Sequence, residues 1–235
     1  MNRILSRTSR NRFPRMSMAF ASALALLGVA LVVGALMAVL PFGASSQSSL
    51  KAMEQRRIDS LSSVLSSIPA ERRKDSTTVN ILNALSAEYR SRDADSSLHY
   101  ALLALKIAEE RGYSAGLGGA LINLGNIYRN LGDYSRALEF LQQALLLAEK
   151  QKNDELAGQA HNGVGIVYIR QGNFDRALEA LFQSLRIAER LGNKRAAAYA
   201  LDNMGIVHIR QGNPDRAFQS LFRAQALADS VQDKR

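Results

Sequence analysis

"GIVYIRQGNFDRAL" (Gly165–Leu178) and "GIVHIRQGNPDRAF" (Gly205–Phe218) are nearly the same fourteen residues written twice, 40 positions apart. Self-similarity at a fixed period signals stacked copies of one supersecondary unit, so further copies are expected upstream. One lies 40 positions earlier, "GNIYRNLGDYSRAL" (Gly125–Leu138), and a weaker one, "SAEYRSRDADSSL", begins at Ser86. The spacing divides residues 75–235 into four units, 75–114, 115–154, 155–194 and 195–235.

Each copy predicts two helices. Ala, Leu and charged residues dominate, and apolar positions recur at steps of three and four, as at Leu121, Leu124, Ile127, Tyr128 and Leu131. The turn between the helices is written in residues that stop one and start the next. Gly132, Gly172 and Gly212 suit the left-handed conformation that ends a helix, and Asp133, Asn173 and Asn213 follow as N-caps. Pro214 then falls on a first helical position, where its missing N–H costs nothing. Small residues recur where the two helices must approach closely: Gly125, Gly165 and Gly205 on the first, Ala137, Ala177 and Ala217 on the second.

These residues resemble the tetratricopeptide repeat. Leu124-Gly125-x-x-Tyr128 with Ala137-x-x-x-Leu141, Val164-Gly165-x-x-Tyr168 with Ala177-x-x-x-Leu181, and Met204-Gly205-x-x-His208 with Ala217-x-x-x-Leu221 carry its signature. The period is 40 rather than about 34, and Glu149, Glu189 and Asp229 stand where a closing Pro is expected. The chain is thus similar to the 40-residue variant found in kinesin light chains and in the extracytoplasmic regions of bacterial membrane sensors. The resemblance implies an all-α, right-handed superhelical solenoid with a concave groove lined by the first helix of each pair. Its groove positions fall on Asn83, Ile122, Asn126, Asn162, Ile166, Asp202 and Ile206, with Arg90, Arg129, Arg170 and Arg210 toward the ends of the same helices. Asparagine amides can pair with the backbone of a bound peptide whatever its sequence. Arginines there favour carboxylates, and equally complement the dipole of a helix C-terminus with no ligand at all. The groove's expected occupant is a protein or peptide.

Residues 1–46 read as a leader. Five arginines (3, 7, 10, 12 and 15) precede the uncharged run 16–40, and "PFGASSQ" follows. A basic start, an apolar core and small residues before a cleavage point make a signal peptide. The 25-residue core is also long enough to remain as a transmembrane anchor. Either way the repeats are exported, anchored on the outer face of an inner membrane or secreted after cleavage. Residues 47–74 are expected to hold a flexible linker, "ASSQSS" (44–49) running into it, and then an amphipathic helix from Leu50 to Ile68 closed by Pro69. That helix either lids the first repeat or couples membrane to repeats.

The net charge of +9 belongs largely to the leader, because the remainder holds 25 basic against 21 acidic residues. Such a spread surplus argues against nucleic-acid binding. With no Cys in the chain, disulfides, thiol nucleophiles and Cys-based zinc sites are excluded. The repeat register places His161 and His208 at packing positions and His99 on a solvent face, so no histidine is assigned to catalysis or metal. "GLGG" (116–119) lacks the strand and the Lys-Ser/Thr of a phosphate loop and is expected to permit close helix packing. No catalytic residue, cofactor or metal is expected. The sequence predicts a scaffold or adaptor, with the sensory input domain of a receptor as the alternative. The final copy lacks a polar capping helix, which leaves self-association through that end open.

Overall fold

The computed structural model describes residues 42–69, 72 and 74–232, so the leader's arginines and the candidate span 16–40 lie outside the described residues. Among those residues there are helices and no strand: α1 (Phe42–Ser67), α2 (Ser76–Tyr89), α3 (Ala94–Arg111), α4 (Ser114–Asn130), α5 (Tyr134–Gln151), α6 (Asp154–Gln171), α7 (Phe174–Arg190), α8 (Lys194–Arg210) and α9 (Pro214–Gln232). No helix among them is long and apolar enough to cross a membrane. The chain divides into two compact units, Met1–Met53 and Glu54–Arg235.

In the first unit the expectation of a flexible linker at 44–49 is overturned, because these residues are helical and belong to α1. Ser and Gln are tolerable helix residues, and extending an existing helix is far easier than nucleating one. Leu50 and Met53 are exposed.

The second unit holds the four hairpins α2–α3, α4–α5, α6–α7 and α8–α9, with the end of α1 packed ahead of them. Ile58 is buried against Ile81 and Leu85, with Leu61, Leu65 and Ile68 alongside. This part of α1 therefore lids the first hairpin, as a helix with an apolar stripe must.

The hairpin turns follow the sequence reading. Gly132, Gly172 and Gly212 have φ of 82°, 75° and 72°. The amides of Asp133, Asn173 and Asn213 then reach back to the carbonyls of Tyr128, Tyr168 and His208, each at 2.9 Å. This capping uses carbonyls that the helix end leaves free. Asp133 Oδ1 accepts from the Arg136 amide at 3.0 Å, and Asn173 Oδ1 from the Arg176 amide at 3.3 Å. The first hairpin lacks the glycine and shows no left-handed residue at its turn. There Asp93 caps α3 instead, accepting from the Asp95 amide and the Ser96 hydroxyl.

Close approach explains the small residues. A Cβ at Gly125, Gly165 or Gly205 would lie 2.6, 2.6 and 2.7 Å from the side chains of Leu141, Leu181 and Leu221. The same holds for "GLGG": a Cβ at Gly118 would meet Leu156 at 2.7 Å, and one at Gly116 would run into Val79. The turns between repeats add a feature the period alone does not reveal. Gly112 and Gly192 are left-handed there, and at the equivalent place Lys152 takes φ of 53°.

Candidate functional site

The first helices α2, α4, α6 and α8 form an inner layer: each touches the first helix of the next repeat, whereas the second helices make no comparable contact with one another. Helices that crowd on one side and spread on the other curve the stack, with the first helices on the concave side. All eleven expected groove residues lie on these helices or immediately after them.

Two of the amides tie neighbouring repeats together. Asn83 donates from Nδ2 to the Gly116 carbonyl at 2.9 Å, and its own carbonyl accepts from Asn123 Nδ2 at 2.9 Å. Asn162 Oδ1 accepts from Asn203 Nδ2 at 3.1 Å. Asn126 Oδ1 accepts from an Arg129 terminal nitrogen at 2.7 Å. Each amide has two donor hydrogens and two acceptor lone pairs, so these bonds leave capacity over. The Nδ2 groups of Asn126 and Asn162 have no protein acceptor among the described residues. Ile122 and Ile166 are half-buried and Ile206 is 40% exposed, forming an apolar line beside the amides.

Asn123 and Asn203 were not among the expected groove residues. Their signal is present in the register, which reads Asn83, Asn123, Gly163, Asn203 at 40-residue steps. The third repeat departs because a Cβ at Gly163 would sit 2.7 Å from Leu141. A second feature lay outside the sequence reading: a cavity of about 120 Å³ bounded by Gly158, Gln159 and Asn162 of α6, Ile187 of α7, Leu191 just after α7, and Tyr199 of α8. Ser184, where sister copies have Ala144 and Ala224, donates to the Gly158 carbonyl at 2.8 Å at the back of this space. Tyr199 at its edge is 59% exposed.

The arginines are distributed unevenly in burial. Arg90 and Arg129 are half-buried, Arg170 and Arg210 exposed. Arg129 directs its guanidinium to the side-chain oxygens of Asn126 and Asn130. Burial, and then the charges of Arg90 and Arg170, pull its pKa down to about 10. Burial also lowers that of Arg90, against the opposing pull of Glu88. Asp202 in the fourth repeat is raised by burial. The arginines stand one per repeat, in no ion pair among the described residues, and Asp202 lies about two turns before the fourth, Arg210, on α8.

The histidines sit where the register put them. His208 is buried in the place of Tyr128 and Tyr168, and its Nδ1 has no partner. Those tyrosines instead lie under Arg136, 4.4 Å from the ring centre, and Arg176, 5.8 Å away. His161 is half-buried and its pKa is lowered, chiefly by burial. His99 is exposed and meets Tyr100 edge-on. Among the described residues no group of three or more acids and histidines is placed to hold a metal ion.

Sequence and structure comparisons bear on the repeat fold. The family model described as a tetratricopeptide repeat matches residues 156–230, and that of the SusR N-terminal TPR domain matches residues 45–156. The chain is a tetratricopeptide-repeat protein. No match is found among curated proteins. Among solved structures, a Rap protein complexed with Competence and Sporulation Factor superposes with a TM-score of 0.67 at 17% identity, over 80% of this chain and 53% of the other. NprR in complex with its cognate peptide NprX gives 0.59 at 17% identity, over 74% and 50%. The nearly identical TPR-like repeats of a kinesin light chain from Podosopora anserina give 0.55 at 14% identity, over 80% and 92%. The repeat protein spans about half the length of the Rap and NprR chains. At these identities the likeness is one of fold.

Proposed function

We propose that this tetratricopeptide-repeat protein is a non-catalytic adaptor that holds an extended segment of a partner protein along its inner layer. The observation that carries the reading is the pair of unpartnered amide donors, Asn126 and Asn162 Nδ2, beside Ile122, Ile166 and Ile206 on the layer where first helices meet. Amide donors spaced along a groove suit main-chain carbonyls, and the isoleucines suit alternate side chains of an extended strand. The cavity beside Asn162 has room for one apolar side chain as an anchor. That a Rap protein and NprR were each solved with a bound factor or peptide supports the same use of the fold.

The site of action follows from the leader: an exported protein held in the inner membrane by residues 16–40, with the repeats on the outer side. The second reading, a sensory input domain, is favoured by the match to a TPR domain described as N-terminal in its own protein. Self-association would draw on the last hairpin, where Phe218 and Phe222 stack at 5.9 Å and are 69% and 67% exposed.

A photo-crosslinking residue at Ile206, on the inner layer, tests the groove against one at Phe182, on an outer helix. Capture of the same host protein from position 206 and not from 182 is expected. Capture from 182 alone contradicts the proposal. Intact mass from membrane and soluble fractions tests the leader: the full-length mass in the membrane is expected, and a mass for residues 47–235 in the soluble exported fraction would mean cleavage.

A further inference from the structure

We propose that the space between α1 and the first hairpin holds the apolar tail of a single-chain amphiphile whose anionic head rests against Lys74 and Lys106. This site shares no residue with the expected inner-layer groove and lies wholly in the second unit.

The cavity measures about 540 Å³, against about 120 Å³ for the one beside Asn162. Leu65 of α1, Leu82 of α2, and Tyr100, Leu103 and Ile107 of α3 supply its apolar walls. It exists because α1 covers the hairpin through side chains alone. Ile58, Leu61, Leu65 and Ile68 pack with Ile81, Leu85 and Tyr100. Yet the backbone of α1 approaches no other helix as closely as neighbouring helices of the stack approach one another. Packed interiors leave few voids larger than a water molecule, so a space of this size under a lid is more than a packing flaw. Its volume falls in the range of small-molecule sites, which are concave and mostly apolar with a few polar groups.

The 40-residue register points the same way. Position 103 is Leu in the first repeat, where the others have Gln143, Gln183 and Arg223. Polar residues suit the solvent side of a second helix. Leu103, 37% exposed, breaks that pattern in the one repeat that α1 covers, and there it lines the cavity. Its neighbour Leu102 is 44% exposed and is not part of the lining.

The rim carries the charge. Leu82 and Ile107 are buried, whereas Lys74, Lys106 and Glu110 are exposed and mark the opening. Lys74 Nζ donates to Glu110 at 2.8 Å. That bond, followed by the charges of Lys74, Lys106 and Arg111, lowers the pKa of Glu110. One carboxylate thus stands among three cations. Beyond Lys74 a second depression of about 490 Å³ is bordered by Arg72 and Arg111, with Arg72 taken by Asp75. An unpaired surface cation is ordinary in this protein. A cationic surplus at the rim of an apolar cavity is what suits a ligand with an apolar tail and an anionic head, because the head gains charge-assisted hydrogen bonds there. Thr78 and Ser66 on the walls already donate to the carbonyls of Arg72 and Ser63, at 3.1 and 2.8 Å, so a tail displaces neither bond.

The test uses the full 235-residue chain and dodecanoate carrying a photoreactive diazirine near its methyl end, with the labelled positions mapped by peptide mass spectrometry. Mapping separates this site from the apolar run 16–40, which could take up an amphiphile by itself. The expected result is saturable labelling within 62–66 and 100–107, competed by plain dodecanoate and far less by dodecanol or dodecyltrimethylammonium. Leu103→Gln should weaken dodecanoate about tenfold, and Leu102→Gln should leave it unchanged. Lys74→Gln with Lys106→Gln should weaken it about tenfold, and Glu110→Gln should strengthen it about threefold. All these side chains are exposed, and unchanged helicity checks that each variant folds. Labelling confined to 16–40, labelling that excess dodecanoate does not compete, or equal loss in the two leucine variants would overturn the site. Dodecanol competing as well as dodecanoate, or Glu110→Gln weakening the binding, would overturn the anionic head.

Discussion

The inner and outer layers of this solenoid are built from the same residue types and use them differently. On the outer helices some cations meet acids or rings, as Arg136 touches both Asp133 and the face of Tyr128, Arg190 takes Asp154, and Arg223 takes Glu189, while Lys150, Arg186 and Arg216 stand in no ion pair among the described residues. On the inner helices Arg90, Arg129 and Arg170 have no acid, and two amides keep unused donors. Exposed ion pairs contribute little to stability, so the outer pattern is a solvated surface and little more. Among the described residues the fully buried side-chain atoms without a partner are Ser86 Oγ and His208 Nδ1, so the spare amide donors of the inner layer remain open to solvent or to a ligand. The contrast is the ground on which the inner layer is proposed as the binding face.

Breaking the contact between the layers has the largest expected effect. In Gly165→Val the new side chain would be driven into Leu181 and toward the Ala177 carbonyl, 3.3 Å from the Cβ alone. Overpacking of this kind costs about 1–3 kcal/mol. For a chain of this size that lowers the melting temperature by roughly 2–12 °C. Unchanged melting would mean the hairpins have room to separate.

The turn that carries the chain from the outer layer back to the inner comes next. Lys152 adopts the left-handed conformation that its sister positions assign to Gly112 and Gly192. Left-handed backbone costs a side-chain-bearing residue about 1–2 kcal/mol, partly offset by the greater unfolded-state freedom of glycine. Lys152→Gly should raise stability by about 0.5–1 kcal/mol in a denaturant titration, and a loss of stability would show that the lysine side chain holds the turn.

Smallest of all are the charge substitutions, which differ in sign between the layers. Removing a half-buried cation that has no acid should relieve the inner layer. Arg129→Gln is therefore expected to raise the melting temperature of ligand-free protein slightly. Arg223→Gln breaks an exposed pair and should stay within about 0.5 kcal/mol of the parent. A clear fall in Arg129→Gln would mean that the guanidinium is structural, held for its bonds to Asn126 and Asn130.

The hairpins were legible in the sequence because their determinants are local. A Gly-Asx turn, an N-cap and a small residue opposite a leucine each act within a few residues or one turn of helix, and the period repeats the message. Features that depend on how repeats sit on one another were not legible. The Asn203–Asn162 and Asn123–Asn83 bonds join residues about 40 apart, and the cavity beside Tyr199 exists only where three helices converge. The linker at 44–49 misled for a different reason. Its serines mark flexibility when isolated, yet they continue a helix already formed downstream. The groove residues stand between these cases. Register placed them on the inner helices, while their partners and burial came only from the fold.

The most direct measurement is the dissociation constant of the partner captured from the host, compared across one inner and one outer double variant. Asn126→Ala with Asn162→Ala removes the amide donors, and Phe182→Ser with Phe222→Ser strips exposed apolar residues from the outer helices. The account predicts at least about a tenfold loss for the inner variant. It also predicts unchanged helicity in both variants and an unchanged constant for the outer one. Loss of binding in the outer variant with the inner one unaffected would place recognition on the wrong layer and contradict the account.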